Sequence, residues 1–317
     1  MRGSPAGSMS SDTTAAPSCA VCANDGFRAA FLQHGHRFEA CRTCGFVRMA
    51  DPPAPGELRD EYRVDRAHGE TVWQEHDKFV ARFATIVARI EKHGAKGRLL
   101  DIGCSYGASL LAARARGWET SGIELSEPAV EYGRREYGLD IRCATLAEAG
   151  FAPGSFDAIL MHHTLEHVVD PDVLLAQAHT LLVPGGVMYQ ALPNYGALKR
   201  RALGACWGYG ITPNHVAHFT PRTLRRLLQR LGYSVLDVFT DSFREDPRFL
   251  HDLMRRFGLV ERFMAKRGKA GQPFDAQTYI DWLHEKRWAW WACNRMWPAR
   301  AVRALGLGEE LHAIARR

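Results

Sequence analysis

The sequence predicts an α/β protein built on a doubly wound sheet, with a small metal-binding module in front and a helical insertion near the end. Three observations predict this. Short apolar runs alternate with helical periodicity from Arg98 to Phe239, a Gly-x-x-x-Gly loop follows the first run, and four cysteines form two tight pairs near the start. Strands and helices alternating in this way pair in parallel through right-handed crossovers. A chain of 317 residues can hold one large core and one small module.

Residues 1–15 read as disordered or vector-derived sequence, with the module at 16–50. Cys19-Ala20-Val21-Cys22 and Cys41-Arg42-Thr43-Cys44-Gly45 are separated by eighteen residues. With no signal peptide or spanning apolar segment evident, a reducing cytoplasm is the default. Paired thiols then predict a closed tetrahedral site, a structural zinc on Cys19, Cys22, Cys41 and Cys44. A redox pair or chance does not explain the doubled knuckle. Phe27, Phe31, Phe38 and Phe46 could form only a tiny core, so the metal would supply the stability.

Residues 51–97 are a proline-rich linker and a long helix. From about Glu70 to His93, Val72, Trp73, His76, Phe79, Val80, Phe83, Ile86, Val87 and Ile90 recur at three- and four-residue steps. Gly94 and Gly97 end the helix. The main domain covers 98–317. Its strands are expected at Arg98–Ile102, Trp118–Ile123, Leu139–Arg142, Phe156–Met161, Val187–Leu192, Tyr233–Phe239 and Glu309–Ala315. Helices are expected near Ala108–Arg116, at Glu127–Tyr137, at Asp170–Leu182 closed by Pro184-Gly185-Gly186, and at Thr220–Leu231 with Thr220 as N-cap. The insertion, about 241–305, carries tryptophans at 282, 288, 290, 291 and 297. Aromatics at helical spacing read first as core, then as a lid or dimer contact, and third as a peripheral membrane contact. The scattered Cys104, Cys143, Cys206 and Cys293 read as core residues.

Open α/β sheets bind ligands in the crevice beyond the carboxyl ends of their strands. The loop Asp101-Ile102-Gly103-Cys104-Ser105-Tyr106-Gly107 lies there, and Glu124 ends the next strand, where a carboxylate can accept both hydroxyls of a ribose. Together they describe an adenosine site. A nicotinamide-dependent dehydrogenase would instead carry Gly-x-Gly-x-x-Gly to seat a pyrophosphate on the helix N-terminus. Asp101 suits a ligand with a positive charge, such as the ammonium group of methionine.

These residues resemble class I S-adenosylmethionine (SAM)-dependent methyltransferases, in particular the ubiquinone-biosynthesis O-methyltransferase-like group. Six blocks carry the resemblance in family order: Asp101–Gly107, Gly122–Ser126, Ala144–Ile159, His162–Pro171, Leu181–Gly186 and Asn214–Leu224. It implies a seven-stranded Rossmann-like methyltransferase sheet with SAM as cofactor. It also implies that Asp101, Gly103, Cys104 and Gly107 line the methionine part, Glu124 and Leu125 the ribose, and Thr145 and Leu146 the adenine. His162 or His163 would lie beside the cofactor. Many relatives have an aspartate in the adenine loop, where this chain has Cys143-Ala144-Thr145-Leu146.

Methyl transfer from a sulfonium needs alignment, and proton removal when the acceptor is a hydroxyl or a protonated amine. His162, His163, His167 and His215 are the candidate catalytic residues, since a neutral histidine can take that proton. His163, Glu166 and His167 stand at i, i+3 and i+4 and would share one face of a helical turn. A loop-fixing role for Glu166 and His167, and a divalent metal at this trio, are the alternatives. His215 and His218 could instead orient their loop, and Asn194 and Tyr195 are weaker acceptor-pocket candidates.

The expected partner is a small-molecule acceptor methylated on oxygen, with carbon or nitrogen of a sugar or secondary metabolite as the alternative. A net charge of +6 with interspersed charges does not call for nucleic acid. A zinc-finger RNA methyltransferase would need a basic module surface, and this module has few arginines and no lysine. A non-catalytic SAM-binding protein is the remaining alternative. The sequence leaves the oligomeric state open.

Overall fold

The computed structural model describes residues 18–33, 35–54, 56–57, 76–204, 207, 214–241 and 299–317, with single positions at 257, 259, 262 and 266. Cys206, Cys293, Val72, Trp73 and the tryptophans at 282, 288, 290, 291 and 297 lie outside the described residues, as does most of the insertion. Among the described residues, no helix is long and apolar enough to cross a membrane.

Helix α1 (His76–Glu91) turns Phe83, Ile86, Val87 and Ile90 inward, the stripe expected from the sequence. It packs over β4 (Arg98–Ile102) and α2 (Ala108–Ala115) in one core layer. There follow β5 (Glu119–Glu124), α3 (Glu127–Tyr137), β6 (Ile141–Cys143), β7 (Phe156–His162), α4 (Pro171–Leu181) and β8 (Leu182–Pro193). Ser126 caps α3 and Gly138 closes it in a left-handed conformation. β8 begins earlier than expected. Pro184-Gly185-Gly186 lies within it, as an irregularity in its register with β7 between Phe156 and Ala158.

After α5 (Leu198–Leu203) and the two-residue β9 (Ala217–His218) come α6 (Pro221–Arg230), β10 (Ser234–Asp241), α7 (Ala299–Ala304) and β11 (Glu310–Arg316). Thr220 and Thr223 make a capping box at the start of α6. The main sheet has seven strands in the order β10-β11-β8-β7-β4-β5-β6. β6, β5, β4, β7 and β8 run parallel, whereas β11 is inserted antiparallel between β8 and β10. That inversion brings the first residue of β11, Glu310, to the carboxyl end of the parallel strands, opposite Pro193.

The cysteine segment forms a second sheet from β1 (Phe27–Gln33), β2 (His36–Cys41) and β3 (Val47–Met49), and β9 of the main domain completes it. Its core is not separate, as the four phenylalanines had implied. Cys19, Val21, Cys41 and Phe46 share one apolar cluster with Phe219, Leu224, Leu227 and Leu228, while Phe27 is only partly buried beneath Arg48.

Candidate active site

The strand order reverses at β4, which lies between β5 and β7, so the crevice opens beyond their carboxyl ends. Gly103 leaves β4 at φ +81°, and a Cβ there would lie 2.5 Å from Thr164 Oγ1. Only glycine meets both demands. The Thr164 hydroxyl donates to the Ile102 carbonyl at 2.8 Å, joining the glycine loop to the segment after β7. Gly107 takes a left-handed conformation to open α2, where a side chain would strike Leu139.

Glu124 accepts from the Ser105 amide at 2.9 Å, the Leu125 amide at 2.7 Å and the Ser126 amide at 2.9 Å. Three backbone donors fix this carboxylate at the end of β5. Asp101 is buried and accepts from the Ser109 hydroxyl, but its Oδ1 has no partner. Burial, aided by the charge of Glu124, raises its pKa to about 7. A buried carboxylate oxygen without a donor is costly unless a ligand supplies one. The crevice is therefore suited to a ligand carrying a cationic donor.

Around it, the Cys104 side chain turns into the core beneath Gly122, so only its backbone borders the loop. Leu146 is buried beside the crevice strands, and Thr145 caps its own turn through Glu148. Cys143 is exposed, contrary to its reading as a core residue, because β6 is the sheet's edge strand.

Beyond β7 the histidines converge, though not on a regular helical turn. His163 has φ +55°, and only Leu165–His167 form a short 3-10 turn. His163 lies between two carboxylates, with Nδ1 3.0 Å from Glu166 Oε1 and Nε2 3.0 Å from Glu310 Oε1. Burial favours the neutral ring, but the hydrogen bonds to Glu166 and Glu310 overcome it and raise the pKa to about 9. Burial alone would raise Glu166, yet His163 holds it at about 2. At neutral pH His163 is an imidazolium donating from both nitrogens and has no lone pair to accept a proton.

His162 packs edge-on against Phe83 in the buried layer, and burial holds it neutral. Its ring lies against Phe83 of α1, with Nε2 3.5 Å from Glu310 Oε1. His167 Nδ1 lies 3.0 Å from the Asn214 carbonyl. Only a protonated Nδ1 can make that bond, so in the neutral ring Nε2 carries the lone pair. Burial lowers the His167 pKa to about 4. The His215 ring stands 4.7 Å from that of His167. His167 and His215 group with Glu166 as possible metal ligands, and His163 groups instead with His162 and Glu310. The trio His163, Glu166 and His167 is thus split.

His218 is buried among Phe31, Phe38 and Tyr195, and burial pushes its pKa down to about 3. Asn194 is committed to the backbone, donating to the Gly306 and Gly308 carbonyls and accepting from the Gly196 amide. The Tyr195 ring lies under the Arg200 guanidinium at 3.7 Å.

Sequence reasoning missed Glu310 and Arg82. Arg82 Nη2 meets Glu310 Oε1 at 2.5 Å, and His312 Nε2 approaches Glu310 Oε2 at 3.2 Å. The acids Glu309 and Glu310 at the start of the last expected strand, and an arginine beside the apolar stripe of α1, were the available signals.

The four paired cysteines also come together. Their sulfurs lie within 4.8 Å of one another, with Cys19–Cys44 and Cys22–Cys41 each at 3.6 Å. That is far beyond a disulfide bond and close to the edge, about 3.8 Å, of a tetrahedron with metal–sulfur bonds of about 2.3 Å. The donor set fits a four-thiolate metal site.

A family profile described as "Methyltransferase domain" matches residues 73–238. A probable S-adenosylmethionine-dependent methyltransferase of Mycolicibacterium smegmatis is 27% identical over 245 residues, covering 74% of this chain and 88% of that protein. A ubiquinone biosynthesis O-methyltransferase of Xanthomonas axonopodis pv. citri is 30% identical over 169 residues, covering 50% of this chain and 70% of that protein. Among solved structures, a SAM-dependent methyltransferase from Archaeoglobus fulgidus aligns with a TM-score of 0.49 at 17% identity, over 78% of this chain and 99% of that one.

Proposed function

The chain belongs to the methyltransferase-domain family, and from that membership we propose that it moves the methyl group of SAM to an oxygen of a small-molecule acceptor, with His167 as the base. The buried, unpartnered Oδ1 of Asp101 carries this reading. It offers a carboxylate to the ammonium group of the donor, while Glu124, now held by backbone amides, offers oxygens to the ribose hydroxyls. Gly103 and Gly107 allow close approach of the backbone, and the Leu125, Thr145 and Leu146 stretch borders the adenine. The donor supplies a methyl group already activated on a sulfonium. The protein's part is to align the acceptor and remove its proton.

His167 suits the second task because its Nδ1–H is anchored on Asn214 and its Nε2 lone pair is the basic position. Glu166, whose Oε1 lies 4.0 Å from that Nε2, would stabilise the imidazolium formed. His163 is already protonated and serves as the bridge between Glu166 and Glu310. Replacing His167 with alanine should lower turnover by about 10²–10⁴-fold. SAH (S-adenosylhomocysteine, the demethylated donor) released with a panel of catechols, phenols and hydroxylated sugars would be measured. Since the His167 value lies near 4, wild-type turnover at saturating donor should be flat from about pH 5 to 8. A limb centred near pH 9 that disappears in His163→Gln would instead make His163 the working group.

We further propose that Cys19, Cys22, Cys41 and Cys44 hold a structural zinc, supported by their four-thiolate geometry. Thiolates of this kind persist under reducing conditions, in keeping with a cytoplasmic setting. Metal analysis should find about one zinc per chain in the wild type and almost none in Cys41→Ser. Equal zinc in both proteins would remove the assignment.

A further inference from the structure

We propose that the cysteine module is a working wall of the acceptor side, because its metal site fixes β3, β3 fixes the segment Asn214–Phe219, and that segment holds the base His167. The inference rests on the zinc reading of the four cysteines, and on the methyl-transfer reading in calling His167 the base and this the acceptor side.

The second cysteine knuckle runs directly into β3. The Gly45 amide donates to the Cys41 carbonyl at 2.9 Å, and the Cys41 amide to the Phe46 carbonyl at 2.8 Å. Val47 and Arg48 then pair with His218 and Ala217, and the Met49 amide donates to the Val216 carbonyl at 2.8 Å. Behind this ladder the Phe46 and Phe219 rings lie 5.0 Å apart, and Phe38 lies 5.3 Å from His218. On the other side Phe219 is tied to the end of β8, through its bridge with Asn194 and the Tyr195 amide, which donates to its carbonyl at 2.8 Å. β9 itself is two residues long, far too short to hold a conformation alone. Its place is set by its neighbours, and β3 is the strand it pairs with.

The chain of contacts ends at the base. The Asn214 carbonyl, at the head of the same segment, is the partner of His167 Nδ1. The second knuckle has little apolar core of its own, so in this scheme the metal is what fixes it. Metal loss should therefore release β3, then β9, then the bond that fixes the His167 tautomer. Phe46 and Met49 are positioning residues in this scheme. Asp101 and Glu124 are held by β4, β5 and their own loops, so donor binding should survive.

The test compares zinc-loaded protein, chelator-stripped protein, and zinc-loaded Phe46→Ala and Phe46→Leu. Zinc content, amide exchange over residues 214–220, the ring ¹⁵N shifts of His167 and SAH affinity would be measured on each. Stripping and Phe46→Ala should each speed exchange at 216–219 by about tenfold or more, and shift the His167 nitrogens toward a tautomer mixture. Phe46→Leu should recover most of the protection, and SAH affinity should stay within about threefold throughout. Unchanged exchange and unchanged His167 shifts in stripped protein would overturn the proposal. So would a loss of SAH affinity parallel to a loss of protection across the whole chain. If zinc-loaded wild type itself fails to bind SAH, the methyl-transfer reading fails, while the exchange data still decide the coupling.

Discussion

Replacing Asp101 with asparagine, or Glu124 with alanine, is expected to weaken SAH binding about a hundredfold in each case. Hydrogen bonds to a charged group contribute about 1.5–3 kcal/mol each. Glu124 can make two to a ribose, and Asp101 can make one to an ammonium group while desolvated, so a loss near 3 kcal/mol is reasonable for each. The pH dependence separates the two. Burial raises the Asp101 pKa to about 7. The ligand's cation pairs only with the ionised form, so affinity should fall by about tenfold per unit as pH drops below about 7, and level off above it. Binding at neutral pH should release a fraction of a proton, visible as a buffer-dependent heat in calorimetry. Asp101→Asn should lose both the slope and the proton release, whereas Glu124→Ala should keep them. Wild-type affinity and slope in Asp101→Asn would remove Asp101 from the site.

Replacing Glu310 with alanine is expected to cost about 3–5 kcal/mol of stability, the range found when one partner of a buried ion pair is removed. Glu310 meets Arg82 and His163 and lies near His162 and His312, and its loss takes a buried carboxylate away from the Arg82 and His163 cations. At about 2.1 cal/mol/K of unfolding entropy per residue, each kcal/mol moves the melting temperature of a 317-residue chain by about 1.5 °C, so a drop of about 5–8 °C is expected. The sign of the pH effect follows from His163. Its folded value, about 9, is raised above its ordinary 6.5, so the stability it contributes is fully present below 6.5 and is lost as pH rises through 9. In Glu310→Ala that loss should shrink and move to lower pH. Thermal unfolding of wild type and variant at several pH values between 6 and 10 checks both statements. A variant that melts with the wild type, with the same pH trend, would show that the cluster contributes nothing.

The glycine loop was legible in the sequence because its constraint is local. Gly103 must take a positive φ, a demand of its own backbone that glycine meets without strain. The apolar stripe of α1 and the N-cap Thr220 of α6 were legible for the same reason, since each depends on neighbours three or four positions away. The fate of His163 was not legible. Its spacing to Glu166 pointed to a shared helical face, but its charge state depends equally on Glu310, 147 residues further on, delivered by an antiparallel strand inserted among parallel ones. No periodicity encodes that delivery. The docking of the cysteine module was hidden similarly, because its link to the main domain is a strand of two residues, too short to leave any alternation.

The donor site is tested most directly by titrating the purified wild-type chain in a calorimeter at about pH 8, above the Asp101 transition, once with SAH and once with NADH. A saturable heat with SAH, at a stoichiometry near one per chain, and none with NADH is the predicted result. Heat with NADH and none with SAH would contradict the account.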